Sequence, residues 1–250
     1  MPRTLVYCRL IRAVVVLAGF CFGAIAEQPI TCHLETTGPL SRFSPAQLVL
    51  LAKLNHADFA HLGRLRRILV PSRWDRDELA YSPMPRTVPE LSQEKKALVV
   101  DLAGQVFGGY ESGQLVRWGP VSTGDRLHQT PSGTYHLNWH ARVRVSSENS
   151  TWIMPWYFNF DSTLGYGLHQ YSLPGRPASH GCARMLVVDA KWLFNWGDGW
   201  TRDAVTGELQ PGTLVLILGK YDFRAPQPWL RPAWWTRGVT LPLQQISTEN

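Results

Sequence analysis

Charge is scarce in this chain. Asp, Glu, Lys and Arg make up 18% of its 250 residues, against the ~25% usual in soluble domains. An excess of one sign is nearly absent as well. The formal +6 comes from 25 Lys+Arg against 19 Asp+Glu, and Arg3, Arg9 and Arg12 all fall in the first 26 residues. Without those three arginines, 25 − 3 = 22 basic residues face 19 acidic ones, a net of +3. So weak a field excludes a nucleic-acid surface built on charge. Long apolar runs are missing too, and no stretch reaches the ~20 residues that comfortably span a bilayer. Low charge together with 44% apolar residues and 11 Trp excludes intrinsic disorder. The 18 Pro and 21 Gly follow no period, which excludes collagen-like and coiled-coil designs and favours a β-rich, turn-rich fold.

Cysteine is equally sparse. Of the four, Cys8 and Cys21 fall at the N-terminus. There the three arginines form a positive start, residues 13–22 are a short apolar run, and Ala24-Ile25-Ala26 offers small residues for cleavage before Glu27. This is the anatomy of a secretory signal peptide over residues 1–26. It predicts an exported protein of the periplasm or cell-wall space, with no membrane span in the mature chain. Two cysteines remain, Cys32 and Cys182. In an oxidising compartment they read either as one disulfide or as a thiol kept free for chemistry.

Residues 27–90 read as a helical segment followed by a linker. Ser44 is placed to cap a helix, with Pro45 at its first position and Gln47 completing a capping box. Leu48, Leu51, Ala52, Phe59 and Leu62 recur at helical spacing, and Asn55 marks a break. The stretch 54–71 faintly resembles the second half of a LysM glycan-binding module; the plainer reading is a helical hairpin packed on the main domain. Arg64, Arg66 and Arg67 read as a solvated face. Residues 72–96, with Pro83, Pro85 and Pro89, read as an irregular linker.

From there the pattern is β. Strands are expected at 97–100, 105–109, 115–118, 134–137, 142–145, 152–160, 166–169 and 214–218. One helix is expected at 188–196, capped near Asp189 and stopped by Gly197. Trp192, Trp196 and Trp200 would share one face of it as core. Many short strands with one or two helices make the fold class mainly β, a β-sandwich or open barrel over residues 91–220. Residues 221–250, rich in Trp and Pro, read as an irregular tail laid across the surface.

One segment carries chemistry. Gly167-Leu168-His169-Gln170 is followed, after a loop containing Pro174, Gly175 and Pro177, by Ser179-His180-Gly181-Cys182-Ala183-Arg184. A cysteine becomes an acyl-transfer nucleophile when an imidazole or a fixed positive charge populates its thiolate. His169 and His180 are candidate bases, and Arg184 supplies permanent charge. Gly181 permits a tight turn that aims the amides of Gly181 and Cys182 at an oxyanion. A zinc site, a buried structural thiol and a disulfide to Cys32 are the alternatives. Zinc wants three or four ligands, and no second Cys or suitably spaced His accompanies these. His136 and His140, read as one strand, stand ~13 Å apart, so no metal is expected.

Ser179-His180-Gly181-Cys182-x-Arg184 resembles the signature of the YkuD-like L,D-transpeptidase catalytic domain, a bacterial family of cell-wall peptidoglycan enzymes. Val121-Ser122-Thr123-Gly124 and Thr130-Pro131-Ser132-Gly133-Thr134-Tyr135 resemble two further segments of that family, in the same order. The resemblance runs over residues 91–220. It implies that Cys182 is the nucleophile and His169 the general base, with the Gln170 carbonyl orienting the imidazole. It also implies that His180 lines the site, Ser179 supports the turn, Gly181 and Cys182 supply oxyanion amides, and Arg184 holds a carboxylate. The aromatic segment 152–158 reads first as a buried strand; as a substrate platform it would expose Trp156 or Tyr157. Two departures fall where the substrate pocket is built. Gln170-Tyr171 follow the histidine where many members have glycine, and the loop from His169 to Ser179 is short.

The function so implied is an exported cysteine L,D-transpeptidase of cell-wall biogenesis and cell shape. It would attack the third residue of a tetrapeptide stem, release the terminal D-amino acid and hold the rest as a thioester. An amine of a neighbouring stem, or of an anchored wall protein, would then accept the acyl group. No metal or organic cofactor is implied, and carbapenem β-lactams would acylate the thiol. Two other readings stay open: an L,D-carboxypeptidase with water as acceptor, and a non-catalytic wall-binding module.

Overall fold

The computed structural model describes residues 30–241; the predicted leader lies outside them. The N-terminal unit runs β1 (Cys32–Thr36), α1 (Pro45–Leu54), α2 (Phe59–Leu62) and β2 (Arg67–Pro71), with its two strands antiparallel. The capping box at α1 forms as expected: Ser44 Oγ accepts from the Gln47 amide at 3.3 Å, and Gln47 Oε1 accepts from the Ser44 amide at 2.9 Å. Asn55 ends α1, and its side chain bonds the backbones of Leu51 and Leu69, tying the helix to β2. The strap 72–96 is not the free linker its prolines imply. It makes two 3-10 turns, Glu78–Tyr81 and Pro89–Leu91, and buries Tyr81, Met84, Val88 and Leu91 in the main core.

The chain continues through β3 (Ala97–Asp101), β4 (Val106–Glu111), β5 (Gln114–Ser122), β6 (Gly133–His136), β7 (His140–Val145), β8 (Ile153–Asp161), β9 (Tyr166–Gln170) and β10 (Ala183–Met185). Then come α3 (Val187–Trp196), the short pair β11 (Thr201–Arg202) and β12 (Leu209–Gln210), β13 (Leu214–Leu218) and α4 (Pro232–Arg237). Nine strands form one mixed sheet, in the order β6-β13-β3-β4-β5-β10-β9-β8-β7. Its two edge strands, β6 and β7, are consecutive in the chain, separated only by residues 137–139. The four steps from His136 to His140 reach at most ~14 Å. The edges are therefore drawn together, and this mainly β fold closes its core as an open barrel rather than by stacking a second large sheet.

Next to the β6 edge, β13 and β3 pair in parallel, and both carry apolar runs because both faces are covered. Alternate residues serve two cores. Leu98, Val100, Val215 and Ile217 point inside the curl, with Phe107, Leu168 and Met185. Val99, Leu216 and Leu218 point outward, where α1, the strap and the tail cover them. The tail corrects its sequence reading, because Trp229 and Trp235 are buried in that outer core and 232–237 is helical. The His56 ring stacks on Trp229 at 4.2 Å. Truncating a buried indole of this kind costs about 3–5 kcal/mol, so the tail is part of the folded unit.

α3 begins at Val187, and Asp189 does not cap it. Asp189 is fully buried and takes ion pairs from Lys53 of α1 at 3.1 Å and Arg117 of β5 at 2.6 Å. Glu78, 3.0 Å from Lys53, completes a cluster that locks α1, the strap, β5 and α3 together. Trp192 and Trp196 stack on one another along α3 at 4.5 Å, whereas Trp200 lies beyond its end. His136 and His140 belong to different strands, and His140 packs against Phe158 and Phe194. Among the described residues no helix is long and apolar enough to cross a membrane.

Candidate active site

Strands β9 and β10 bring the chemistry together. They run in parallel, with Ala183 beside Leu168 and Arg184 beside His169, so Cys182, just ahead of β10, falls level with Gly167. The Gly167 N–H donates to the Cys182 sulfur. Cys182 and His169 line one solvent-open cleft. The Nδ1 of His169 lies 3.0 Å from the Gln170 carbonyl oxygen. A carbonyl can only accept, so Nδ1 carries the proton and Nε2 presents a lone pair. Tyr171 meets the imidazole edge-on at 5.9 Å, and Tyr157 lies 6.1 Å away on another side.

Burial pushes the Cys182 thiol above its ordinary 9.0, opposed by the Gly167 N–H and by Arg144 and Arg184. Burial also pushes His169 down to about 4; the Gln170 carbonyl opposes that fall, and the two arginines add to it. The resting pair at neutral pH is therefore thiol and neutral imidazole. Such an imidazole is free to take the proton as attack proceeds.

The turn that carries Cys182 is held from beneath. Gly181 has φ +113, and a Cβ there would run into the Tyr166 ring, so only glycine fits. The Thr130 hydroxyl donates to the Gly181 carbonyl at 2.7 Å and accepts from the Gly124 amide at 2.9 Å. Gly124 runs beside Ser179, and a Cβ on it would meet the His128 carbonyl. The segments 121–124 and 130–135 thus brace the catalytic turn and do not line the cleft. Ser179 supports the turn as expected, its hydroxyl donating to the Cys182 carbonyl. It also accepts from the Gly181 amide at 3.1 Å, so one of the two expected oxyanion donors is engaged in this resting arrangement.

His180 lines the cleft, with Trp152 at 4.6 Å and His128 at 4.4 Å from its ring. Asp125, His128 and His180 are the one group among the described residues that brings three metal-ligand atoms within 4.8 Å of one another. The two imidazoles stack within 29° of parallel, so their in-plane lone pairs run side by side instead of converging. Of the three only His180 lines the cleft, and Asp125 bonds His128 Nδ1 at 3.0 Å.

Arg184 lines the cleft with its guanidinium 4.7 Å over the Tyr171 ring. The two aromatic candidates do not. Trp156 lies outside the cleft, with Arg142 3.8 Å over its ring and Phe194 of α3 against it. Tyr157 is fully buried; burial pushes its hydroxyl up to about 12, and it donates to the Gly165 carbonyl at 2.9 Å. Trp152, Tyr166 and Tyr171 supply the aromatic lining instead. Sequence reasoning also missed Arg144, which reaches the cleft from β7 and donates to the Tyr157 hydroxyl at 2.8 Å. Its one signal was an arginine in an alternating strand, and nothing local joined that strand to Cys182. Cys32 and Cys182 are both free thiols and form no disulfide.

What these groups can do together is covalent acyl transfer, with imidazole taking the thiol proton and sulfur attacking a carbonyl. The fold is a mainly β half-barrel whose cleft brings a cysteine and a histidine together. Residues 95–217 match the L,D-transpeptidase catalytic domain family, YkuD. Similar solved structures include the L,D-transpeptidase (Yku) from Stackebrandtia nassauensis, 25% identical over 52% of this chain and 58% of that one, with a TM-score of 0.43. An L,D-transpeptidase from Xylanimonas cellulosilytica is 24% identical over 70% of this chain and 80% of that one, with a TM-score of 0.46. L,D-transpeptidase 1 from Mycobacterium tuberculosis is 19% identical over 50% of this chain and 62% of that one, with a TM-score of 0.37. The chain thus spans less than two thirds of the first and third of these. No curated protein matches it.

Proposed function

We propose that this chain is an exported cysteine L,D-transpeptidase acting on peptidoglycan stem peptides. One observation carries the reading: the pairing of β9 with β10 brings neutral His169, fixed by the Gln170 carbonyl, to the same cleft as Cys182. His169 Nε2 takes the Sγ proton as sulfur attacks the carbonyl carbon of the third stem residue. The tetrahedral intermediate collapses, the C–N bond breaks, and His169 returns the proton to the departing amine of the terminal D-amino acid. A thioester on Cys182 remains. An amine of a neighbouring stem, or of a wall protein, attacks it, and the thiol is regenerated. No step calls on a metal or an organic cofactor. Export rests on the leader at 1–26, and recovery of a mature N-terminus at Glu27 from the periplasm would support it.

The test uses purified disaccharide-tetrapeptide. Wild type is expected to release the D-amino acid, form cross-linked dimer and show an acyl adduct on Cys182 by intact mass. Cys182→Ala is expected to do none of these. Release or dimer formation undiminished in that variant would sink the mechanism. Release without dimer, in the presence of acceptor amine, would make water the acceptor and the protein a carboxypeptidase.

A further inference from the structure

The cleft holds two guanidiniums that make no close ion pair among the described residues. Arg144 and Arg184 both line it with Cys182, and each is half-buried. Among the described residues no carboxylate lies within ion-pair distance of either, whereas Arg42, Arg86 and Arg117 each have one. Glu148, the only acid lining the cleft, pairs with neither. Both forks are nonetheless held in place. Arg184 lies over Tyr171; Arg144 lies over Tyr157 at 4.6 Å and Trp139 at 4.9 Å, and gives one N–H to the Tyr157 hydroxyl. A half-buried cation without a counter-ion has lost hydration that no partner restores. A planar fork held this way suits a carboxylate.

We propose that the two arginines divide the two carboxylates of a doubly anionic acyl donor, and that Arg144 selects an acidic side chain on the residue being transferred. This rests on the transpeptidase reading above. Arg184 is the register partner of His169, and His169 returns its proton to the leaving amine. The carboxylate of the leaving residue is two bonds from that amine, so it falls to Arg184. Arg144, carried by the β7–β8 hairpin, is left to the acyl side. There a carboxylate comes only from the side chain, because the backbone carbonyl of that residue is the one under attack. A side chain ending in a carboxylate meets the fork of Arg144. A carboxamide leaves it without a counter-ion, and an ammonium is repelled.

Both arginines also favour the thiolate of Cys182, so the experiment separates selection from thiol chemistry. Three tetrapeptide donors are compared, identical except that the third side chain ends in a carboxylate, a carboxamide or an ammonium. Release of the D-amino acid gives kcat/KM for the full chain and for Arg144→Gln, Arg144→Lys and Arg184→Gln. Calorimetry on the same proteins with Cys182→Ala added gives Kd. Wild type is expected to prefer the carboxylate donor over the carboxamide by about 10- to 100-fold. Arg144→Gln is expected to bring that ratio near one, whatever it does to absolute rates, and Arg144→Lys to keep part of it. Arg184→Gln is expected to weaken all three donors alike. A ratio unchanged in Arg144→Gln overturns the assignment; if the pH profile of Cys182 alkylation shifts as well, Arg144 serves the thiolate alone. Should no donor acylate the wild type while the Cys182→Ala protein keeps an Arg144-dependent preference, the transpeptidase chemistry falls and the carboxylate site stands. Absence of binding by every donor overturns both.

Discussion

Cys182 and His169 rest as a neutral pair, and that fixes the direction of their pH dependence. The thiolate grows as pH rises through a thiol value above 9.0, whereas the basic form of His169 is lost only as pH falls through about 4. Alkylation of Cys182 by iodoacetamide in the free protein is therefore expected to keep rising beyond pH 9. A plateau near neutrality would show a preformed ion pair instead. Thr130 makes a second prediction at this scale. Its hydroxyl joins the Gly124 amide to the Gly181 carbonyl, and Thr130→Val leaves both buried groups without that partner. Donor turnover is expected to fall about 10- to 100-fold through misplacement of the turn, with circular dichroism unchanged. Wild-type turnover would show that the turn holds its shape without the brace. The meeting of Cys182, His169 and the Gln170 carbonyl was legible in the sequence because all three lie on one short segment. The buried-strand reading of 152–158 holds, but which of its aromatics face the cleft was not legible, because Trp156 adopts φ +56 and that break in extended backbone spoils the alternation from which faces are read.

Among the elements, α1 is bound to the sheet by charge as well as by apolar contact. Lys53 and Arg117 face Glu78 and Asp189, two cations against two carboxylates. Removing one partner leaves a buried charge uncompensated, so Lys53→Met is expected to cost about 3–5 kcal/mol in urea unfolding. Adding Glu78→Gln restores the balance and is expected to recover part of that loss. Additive losses would mean that the four groups do not act as one cluster. The capping box of α1 and the apolar runs of β3 and β13 were legible because each is a local pattern. β10 was not, since three residues are too few to show a period. β1 was missed as well, since the alternation of its Cys-His-Leu-Glu-Thr is too short to stand out, and its partner β2 lies across two helices. In the strap, Pro83, Pro85 and Pro89 signalled turns correctly but say nothing of burial, and the residues between them are core.

At the scale of the whole molecule, composition divides the chain into segment, domain and tail, yet one outer core draws on all three. His56 sits where they meet, packed among Trp229, Trp234 and Trp235 and pushed down to about 3 by burial. Between the ordinary value of 6.5 and these lowered ones, the unfolded chain binds more protons at His56 and His169 than the folded one. Stability is therefore present above about pH 6.5 and declines as pH falls toward 4. Tm measured across that window is expected to drop steadily. His56→Asn, which tolerates a positive φ and does not titrate, is expected to flatten the curve. An equally steep fall in that variant would assign the protons elsewhere.

β10 has a further role through its place in the sheet. It alone joins β6-β13-β3-β4-β5 to β9-β8-β7, and it meets β5 through two residue pairs, Arg184 with Ser122 and Met185 with Val121. Cys182 and His169 lie on the β9 side of this seam, whereas Gly124 and Thr130 hold the turn from the β5 side. Such a short zip is the thinnest hydrogen-bonded link in the sheet, so it can open locally while the inner core shared by both halves stays packed. Catalysis is then the first property that denaturant removes, with kcat/KM falling at concentrations that leave tryptophan fluorescence at its native value. Simultaneous loss of both would make the seam as strong as the halves it joins.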